Sequence, residues 1–510
     1  MNTAETRRLS RRQMLRGAAL VLGTIPGAAI LAACGGGASP APAVATTAPA
    51  APAATTKPAA PAATTAPAAA AAPTAAPQAA TKPAATGQRV TIRDHDWTQG
   101  TPGAQGDWYD GFIAKFEAAH PDIQIQREWI PRAEMHAKQL ALAATGQIGD
   151  TVRINVAPLV SELQLKGVLH DLNSLYEGDQ QWVANDLKQF WKGNLATYTR
   201  QGKLWGLPIV GHPGSVQYYV NTTMVQKLGL KMPPADGNWT FDDMLTLTKG
   251  LTKSEGGRTT VYGIITPVGE TSTNEGMVGF LRAFGGDLFD ADGKKCLLNT
   301  PESKAGLKAL ADLYKAGSAM PWQPDIETQR PELFQSQKVA MVIQTSFAAS
   351  AWPGQIAQRP EPFEMDVFPN PLGSSGKHAT QVSSDGKGVS MASKNADKAW
   401  IVLSQLYTGQ RHGIERFANG LGSPGSRFDV WDSDEFRKAA PKLQNIAKVM
   451  VLPPAPDMLP WHHPANGRYQ ETEPILLNEF VKVTLGQLDV NQYADDTAKQ
   501  IQAILDKPGV

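Results

Sequence analysis

Residues Arg89-Val-Thr-Ile-Arg93 alternate polar and apolar side chains, the period-two signature of a strand with one buried face. After a loop from Asp94 to Asp107, Trp108, Phe112 and Phe116 recur at helical spacing until Pro121 stops the run. Alternation returns at Ile123-Gln-Ile-Gln126, helical spacing from Met135 to Ala144, and a third strand at Val152-Arg-Ile-Asn-Val156. Strand, helix, strand, helix, strand is the order in which a parallel sheet is wound, so the pattern predicts an α/β fold. A helix from Val160 to Leu172 with a turn at Gly167 leads into a polar helical region reaching Trp191 and Tyr198. Gly202-Lys-Leu-Trp-Gly-Leu-Pro208 reads as a tight hairpin feeding one long strand, Ile209 to Val220, which ends at Asn221.

The front of the chain breaks this pattern. Residues 35–87 are nearly all Ala, Pro, Thr and Gly, with almost nothing large and apolar to offset the entropy of ordering, and they read as a disordered linker. Its prolines favour extended chain, so its roughly 50 residues reach at most on the order of 160 Å. Ahead of it, Ser10-Arg11-Arg12-Gln13-Met14-Leu15-Arg16 is a basic run followed by a moderately apolar stretch from Gly17 to Ala33. This is the layout of an export signal. Small Ala32 and Ala33 leave room for a peptidase and for lipid transfer to a thiol, so Leu31-Ala32-Ala33-Cys34 resembles the lipobox of a bacterial lipoprotein. The pair Arg11 and Arg12, with Met14 and Leu15 behind it, resembles a twin-arginine signal. A retained anchor is the alternative, but the apolar run is short for a span and contains Gly23, Pro26 and Gly27. Lipidation at Cys34 is the expectation, with residues 1–34 as signal and the body facing the periplasm or exterior from a membrane.

The body is long enough to bury more than one core. Five Arg and one Glu fall in residues 1–34 and two Lys in residues 35–87, which leaves the body 41 of the 48 basic and 46 of the 47 acidic residues. That balance carries no basic footprint for nucleic acid. Two cysteines in 510 residues exclude a disulfide framework, and with Cys34 acylated, Cys296 reads as a structural thiol.

Several segments fall in the order and spacing of one family: Phe116-Glu-Ala-Ala-His-Pro-Asp-Ile123, Ala143-Ala-Thr-Gly146 with Asp150, Gly202 to Pro208, Tyr219-Val-Asn221 and Trp239-Thr-Phe-Asp-Asp-Met244. Phe284-Gly-Gly-Asp-Leu-Phe289, Leu298-Asn-Thr-Pro301, Phe334 to Met341, and Gly388-Val-Ser-Met-Ala-Ser393 leading into Ala399-Trp-Ile-Val-Leu403 continue it. Each motif is weak alone, and their collinearity over residues 88–508 is strong. The chain resembles the extracellular solute-binding proteins of ATP-binding-cassette importers, in the carbohydrate-binding group that includes maltose-binding protein. The resemblance implies a periplasmic-binding-protein-like fold over residues 88–510: two α/β lobes, hinge strands and a ligand cleft. By position, the first lobe takes roughly 88–208 and 350–385, the second roughly 209–349 and 386–510, with crossings near Ile209 and between Val382 and Gly388.

A sugar presents flat apolar C–H faces and a rim of hydroxyls, so its site needs aromatic platforms beside planar hydrogen-bonding groups. Trp97, and Asp96 with it, sit past the carboxyl end of the first strand, where open α/β sheets place ligands. The resemblance adds a contact near Asn155. His212 interrupts an apolar strand at the inferred crossing, as a ligand group or a hinge histidine. Asn274 and Glu275 precede a helix from Met277, where they suit sugar hydroxyls or simple N-capping. The buried strand Met341 to Phe347 delivers polar Gln344 to Ser346 and then a ring where the family stands a stacking aromatic; Phe347 replaces the usual Trp, which leaves Trp352 as a substitute. Asp385 lies in the second crossing, and Trp461, beside His462 and His463, is placed to close the cleft. Trp108, Trp205, Trp239 and Trp400 read as packing residues.

The function these readings converge on is a membrane-anchored receptor that captures a sugar or sugar-like solute and hands it to an importer's permease subunits. A monomer with no cofactor, no metal and no chemistry of its own is expected. The rival is an exported lipoprotein hydrolase acting on carbohydrates. Asp242-Asp243 opens a helix and Asp495-Asp496 belongs to the last one, so neither pair reads as opposed catalytic carboxylates. No Gly-x-Ser-x-Gly elbow or metal-spaced His cluster occurs, and adjacent His462 and His463 point apart.

Overall fold

A computed structural model of the protein describes residues 89–97, 104–213, 217–266, 273–378, 382–452 and 458–510, and for residues 104, 105, 273–275 and 383 the backbone alone. The expected signal with Arg11, Arg12 and Cys34 and the linker at 35–87 lie outside the described residues.

Val90–Asp96 (β1), Ile123–Trp129 (β2) and Thr151–Ile154 (β3) form the parallel start that the alternation predicts, with β1 between the other two. Thr199–Arg200 (β4) and Lys203–Leu204 (β5) make the small hairpin. The long strand expected from Ile209 to Val220 is instead two strands in two sheets, Leu207–His212 (β6) and Gln217–Asn221 (β7). Pro213, which has no N–H for a ladder, follows β6 at the break. The remaining strands are Lys253–Glu255 (β8), Arg258–Ile265 (β9), Val339–Gln344 (β10), Met365–Phe368 (β11) and Ser383–Val389 (β12). The first sheet has the order β2-β1-β3-β12-β6 and the second β11-β7-β10-β9-β8. In the first, β12 runs antiparallel to both β3 and β6; in the second, only β9 and β10 are parallel.

The molecule is thus two α/β lobes joined where the chain passes from β6 to β7 and from β11 to β12. The expected division of the later chain needs correction. Within residues 350–385, β11 pairs with β7 in the second sheet, and only β12 rejoins the first. Within 386–510, Ala399 to Tyr407 pack into the first lobe's core, while the helices Tyr469–Thr484 and Val490–Leu505 contribute mostly to the second. Motif order places elements along the chain but cannot tell which of two cores an amphipathic helix will cover.

Alternation on the second sheet explains its near-continuous apolar strands. Tyr218, Val220, Met341 and Ile343 face one core, while Tyr219, Val342 and Ile265 face another, so both surfaces are covered. Helix starts follow local chemistry: Thr240 and Asp243 form a capping box ahead of Phe241–Leu251, and Thr300 caps Pro301–Lys315, with proline where no N–H is needed. Trp239, buried, donates to the Pro369 carbonyl at 3.0 Å and serves packing as expected. Cys296 is a half-buried free thiol whose pKa burial pushes up to about 11. Among the described residues no helix is long and apolar enough to cross a membrane, and no cluster of His, Cys, Asp or Glu could hold a metal ion.

Two histidines are enclosed where protonation is penalised. His463 sits between Ser161 and the Thr197 carbonyl, and burial, with Arg200 nearby, pushes it down to about 3. His412, bonded to the Tyr109 hydroxyl at 3.1 Å, is held well below its ordinary value by burial and by Arg416 and Arg153. Both folded-state values lie below the unfolded one near 6.5, so as pH falls through about 6.5 the unfolded chain takes up protons that the folded chain refuses. Stability is therefore full above that pH and drops by about 1.4 kcal/mol per pH unit for each such histidine below it. The thermal midpoint should hold from pH 7.5 to about 6.5 and fall from there to pH 5; a flat midpoint below pH 6.5 would show that these imidazoles reach water.

Candidate functional site

Strand register sets the chemistry beneath the cleft. Asp94 lies beside Thr151, and Lys387 beside Arg153. With a side-chain period of two, Asp94 and Asp96 on β1, Thr151 and Arg153 on β3, and Asp385 and Lys387 on β12 then share one face of the first sheet. Arg153 holds Asp96 at 3.0 Å and Asp385 at 2.6 Å, while Lys387 binds Asp94 and reaches Asp96 at 3.1 Å. Tyr407 donates to Asp94 at 2.7 Å and lies under the Lys387 ammonium, 4.3 Å from its ring centroid. Burial works against the Arg153 cation, but Asp96 and Asp385 outweigh it and raise its pKa above the ordinary guanidinium value. On the opposite face of β12, Gly386 lets the Tyr198 ring approach so closely that a Cβ there would stand 2.5 Å from it.

A cavity of about 570 Å³ opens above this network, between the lobes. From the first lobe it takes Trp97, Arg132, Val210, His212, Ser384 and Asp385; from the second, Glu327, Arg330, Gln344, Phe347 and Gln355. Arg416 and the loop from Gly420 to Ser423 complete the wall, with Trp461. The volume suits a small-molecule ligand.

The structure brings five of the sequence's candidates to this cavity: Trp97, His212, Phe347, Asp385 and Trp461. The Trp97 ring lies 5.3 Å from the Arg132 guanidinium and 5.2 Å from that of Arg153, within cation–π reach. His212 bonds Ser423 at 3.1 Å, fastening β6 to the Gly420–Ser423 loop. Phe347 is 37% exposed. Trp461, although it lines the cavity, is only 2% exposed and packs edge-on against Tyr469.

Three candidates stand elsewhere. Asp96 is buried in the ion network beneath Trp97 and does not line the cavity. Asn155 donates to the Arg132 carbonyl at 3.4 Å and is likewise not in the lining. Trp352 is no substitute platform: it is buried against Phe334 and Tyr219, with the Phe347 ring edge-on to it at 6.5 Å. The exposed ring is Phe347 and the buried one its support, because the strand ends at Gln344 and Phe347 opens the helix Ala348–Ala357 that carries Trp352 inward. Asn274 and Glu275 fall in the first turn of the helix Thr273–Ala283, and their side chains lie outside the described residues.

Arg132, Glu327, Arg330, Gln355 and Arg416 were not among the candidates. Arg416 alone leaves a sequence signal: it lies four residues past His412 and three past Gly413, on the buried stripe of the helix Gln410–Ala418. A charge on an apolar stripe marks either an ion pair or a site. Arg132 and Gln355 sit on exposed or mixed surfaces that look like any solvated face.

A model for the family described as bacterial extracellular solute-binding protein matches residues 100–404. A protein of Brucella abortus (strain 2308) that bears the name of a binding protein is 24% identical over 407 residues, 79% of this chain and 90% of that one. One of Brucella suis biovar 1 (strain 1330) matches to the same extent. Among solved structures, the sugar-binding protein MalE of Xanthomonas citri superposes with a TM-score of 0.66 at 16% identity, over 82% of this chain and 97% of that one. A substrate-binding protein of Listeria monocytogenes in complex with cycloalternan gives 0.64 at 21% identity, over 82% and 99%. One of Agrobacterium radiobacter K84 in complex with ribitol gives 0.63 at 18% identity, again over 82% and 99%. At these identities the likeness is one of fold.

The buried network generates a stability prediction. Lys387→Met leaves Asp94 and Asp96 short of a cation out of water and should cost about 3–5 kcal/mol in denaturant unfolding. Arg437→Ala, which breaks only an exposed pair with Asp432 and Asp434, should leave the denaturant midpoint nearly unchanged. Equal losses in the two variants would show that the network has no special hold on the fold.

Proposed function

The chain belongs to the family of bacterial extracellular solute-binding proteins, and on that premise we propose that it is a membrane-anchored receptor that captures a sugar or sugar-like solute between its lobes and delivers it to the permease subunits of an ATP-binding-cassette importer. One observation carries the ligand class: Trp97, Phe347 and Trp461 stand among amides, hydroxyls and charged groups in a single inter-lobe cavity. Aromatic faces suit sugar C–H surfaces, and planar polar groups suit its hydroxyls. The bound cycloalternan and ribitol of the similar structures belong to the same polyhydroxylated class.

The receptor performs no chemistry in this reading. Solute binding to both walls favours the closed form over the open one by its extra contacts, and the closed form is what the permease engages. Lipid on Cys34 and the Ala/Pro/Thr linker hold a monomeric body near the permease at high effective concentration without fixing its orientation.

Titration calorimetry of the purified body with a panel of mono- and oligosaccharides tests the reading. Saturable binding without product release is expected, and Trp97→Ala and Phe347→Ala should each weaken it by about tenfold to a hundredfold. Absence of binding to any saccharide, or release of a hydrolysis product, would sink it. Cys34→Ser in cells should move the protein from membranes to the soluble exported fraction with ligand affinity unchanged; continued membrane retention would refute the lipid anchor.

A further inference from the structure

Among the described residues, three buried arginines have carboxylate partners. Arg153 holds Asp96 and Asp385, Arg282 holds Asp287 at 2.7 Å, and Arg427 holds Asp429 at 2.7 Å and Asp186 at 2.8 Å. Arg416 has none among the described residues. It is 5% exposed and lines the inter-lobe cavity, its Nε is buried without an acceptor, and its guanidinium makes no ion pair or hydrogen bond with the described residues. An isolated buried charge costs several kcal/mol, so a guanidinium kept for structure alone acquires a partner or is replaced.

The surroundings of Arg416 are shaped to receive it. Gly422 has φ of 146°, and a Cβ there would stand 2.8 Å from Nη2 and 2.9 Å from Cζ, so the side chain lies flat against a glycine backbone that any other residue would crowd. The carboxylate of Asp385, in the same cavity, is already taken up by Arg153. Arg132, a second lining cation, is stacked on Trp97 and has no carboxylate either. Glu327, the other carboxylate of the lining, pairs with neither arginine, so among the described residues the cavity presents cationic hydrogen-bond donors without a carboxylate partner.

We propose that the solute carries an anionic group, a carboxylate or a phosphate on a sugar or polyol, and that Arg416 receives it through the two-pronged fork of its guanidinium. A planar fork matches two oxygens of either group, and desolvation in the cleft strengthens the pair. Arg132 adds a second cation beside the aromatic platform. The inference rests on the reading of the cavity as a saccharide site and narrows it to acidic saccharides.

Calorimetric titration of wild type, Arg416→Gln and Arg416→Lys with matched probes decides it: glucose, glucuronate and glucose 6-phosphate, and galactose with galacturonate. Wild type should bind an acidic member at least about tenfold more tightly than its neutral counterpart, as hydrogen bonds to charged groups require. Whether uronate or phosphate gains more identifies the group. Arg416→Gln should abolish the preference and Arg416→Lys retain part of it. Without ligand, Arg416→Gln should melt at or above wild type, since it removes an uncompensated charge; a fall of several degrees would show a structural cation and overturn the proposal. Neutral sugars binding as tightly as acidic ones, or a preference that survives in Arg416→Gln, overturns the proposal and leaves the saccharide receptor standing. Binding of no probe at all overturns both.

Discussion

Charges withdrawn from water must be answered by one another, and in the first lobe that requirement fixes the returning strand. Asp94 and Asp96 wait on β1 and Arg153 on β3, but Lys387 and Asp385 arrive only after the chain has built the second sheet. The Asp94–Lys387 contact spans 293 residues of sequence. Loop-closure entropy grows only slowly with such a span, whereas two carboxylates left beside a single guanidinium out of water would be far more costly. A shifted register in β12 would turn its charges onto the face where Tyr198 needs Gly386, so the Asp-Gly-Lys-Gly sequence admits one alignment.

The same constraint divides the polar groups of the cleft into those committed to structure and those available. Asp385 is part of the cavity wall, yet Arg153 holds it in place. His212 is bonded to Ser423, and the Gln355 side-chain Oε1 accepts from the Gln335 side-chain amide at 2.6 Å. These groups are oriented before any solute arrives, which lowers the entropy lost on binding. Arg132 and Arg416 line the cavity and lie outside these arrangements.

Alternation and helical spacing made the first three strands, the helix Met135–Ala144 and the apolar second sheet legible from sequence, because each buries a face with its own period. The break at Pro213 was legible only in part: Ile209 to Val220 reads as continuous apolar chain, and nothing local says that its halves serve different sheets. Within the site, strand-end reasoning found Trp97, and interruption of an apolar strand found His212. It misplaced Trp352, since two aromatics five residues apart across a strand-to-helix junction offer no sequence cue to which is inward. Arg132, Glu327, Arg330 and Gln355 come together only through the packing of distant segments, and the ion network hides in strands whose charges look like those of a solvated face.

Mechanical roles follow from where the segments are fastened. The helix Gln410–Ala418 buries Ile414 and Phe417 in a core shared with the second sheet, while His412 bonds Tyr109 on the first lobe. The loop beyond it is seated on the crossing strand: His212 meets Ser423, and a Cβ at Gly211 would collide with Ser426. Arg416 therefore stands on the side where the lobes are joined, which moves least when a hinge opens. Trp97 and Phe347 belong to opposite lobes, and their separation is what such a motion changes. A solute that first engages the fixed side keeps its polar end in register while the two rings approach, so the electrostatic contact can form in the open state and the stacking contacts can reward closure.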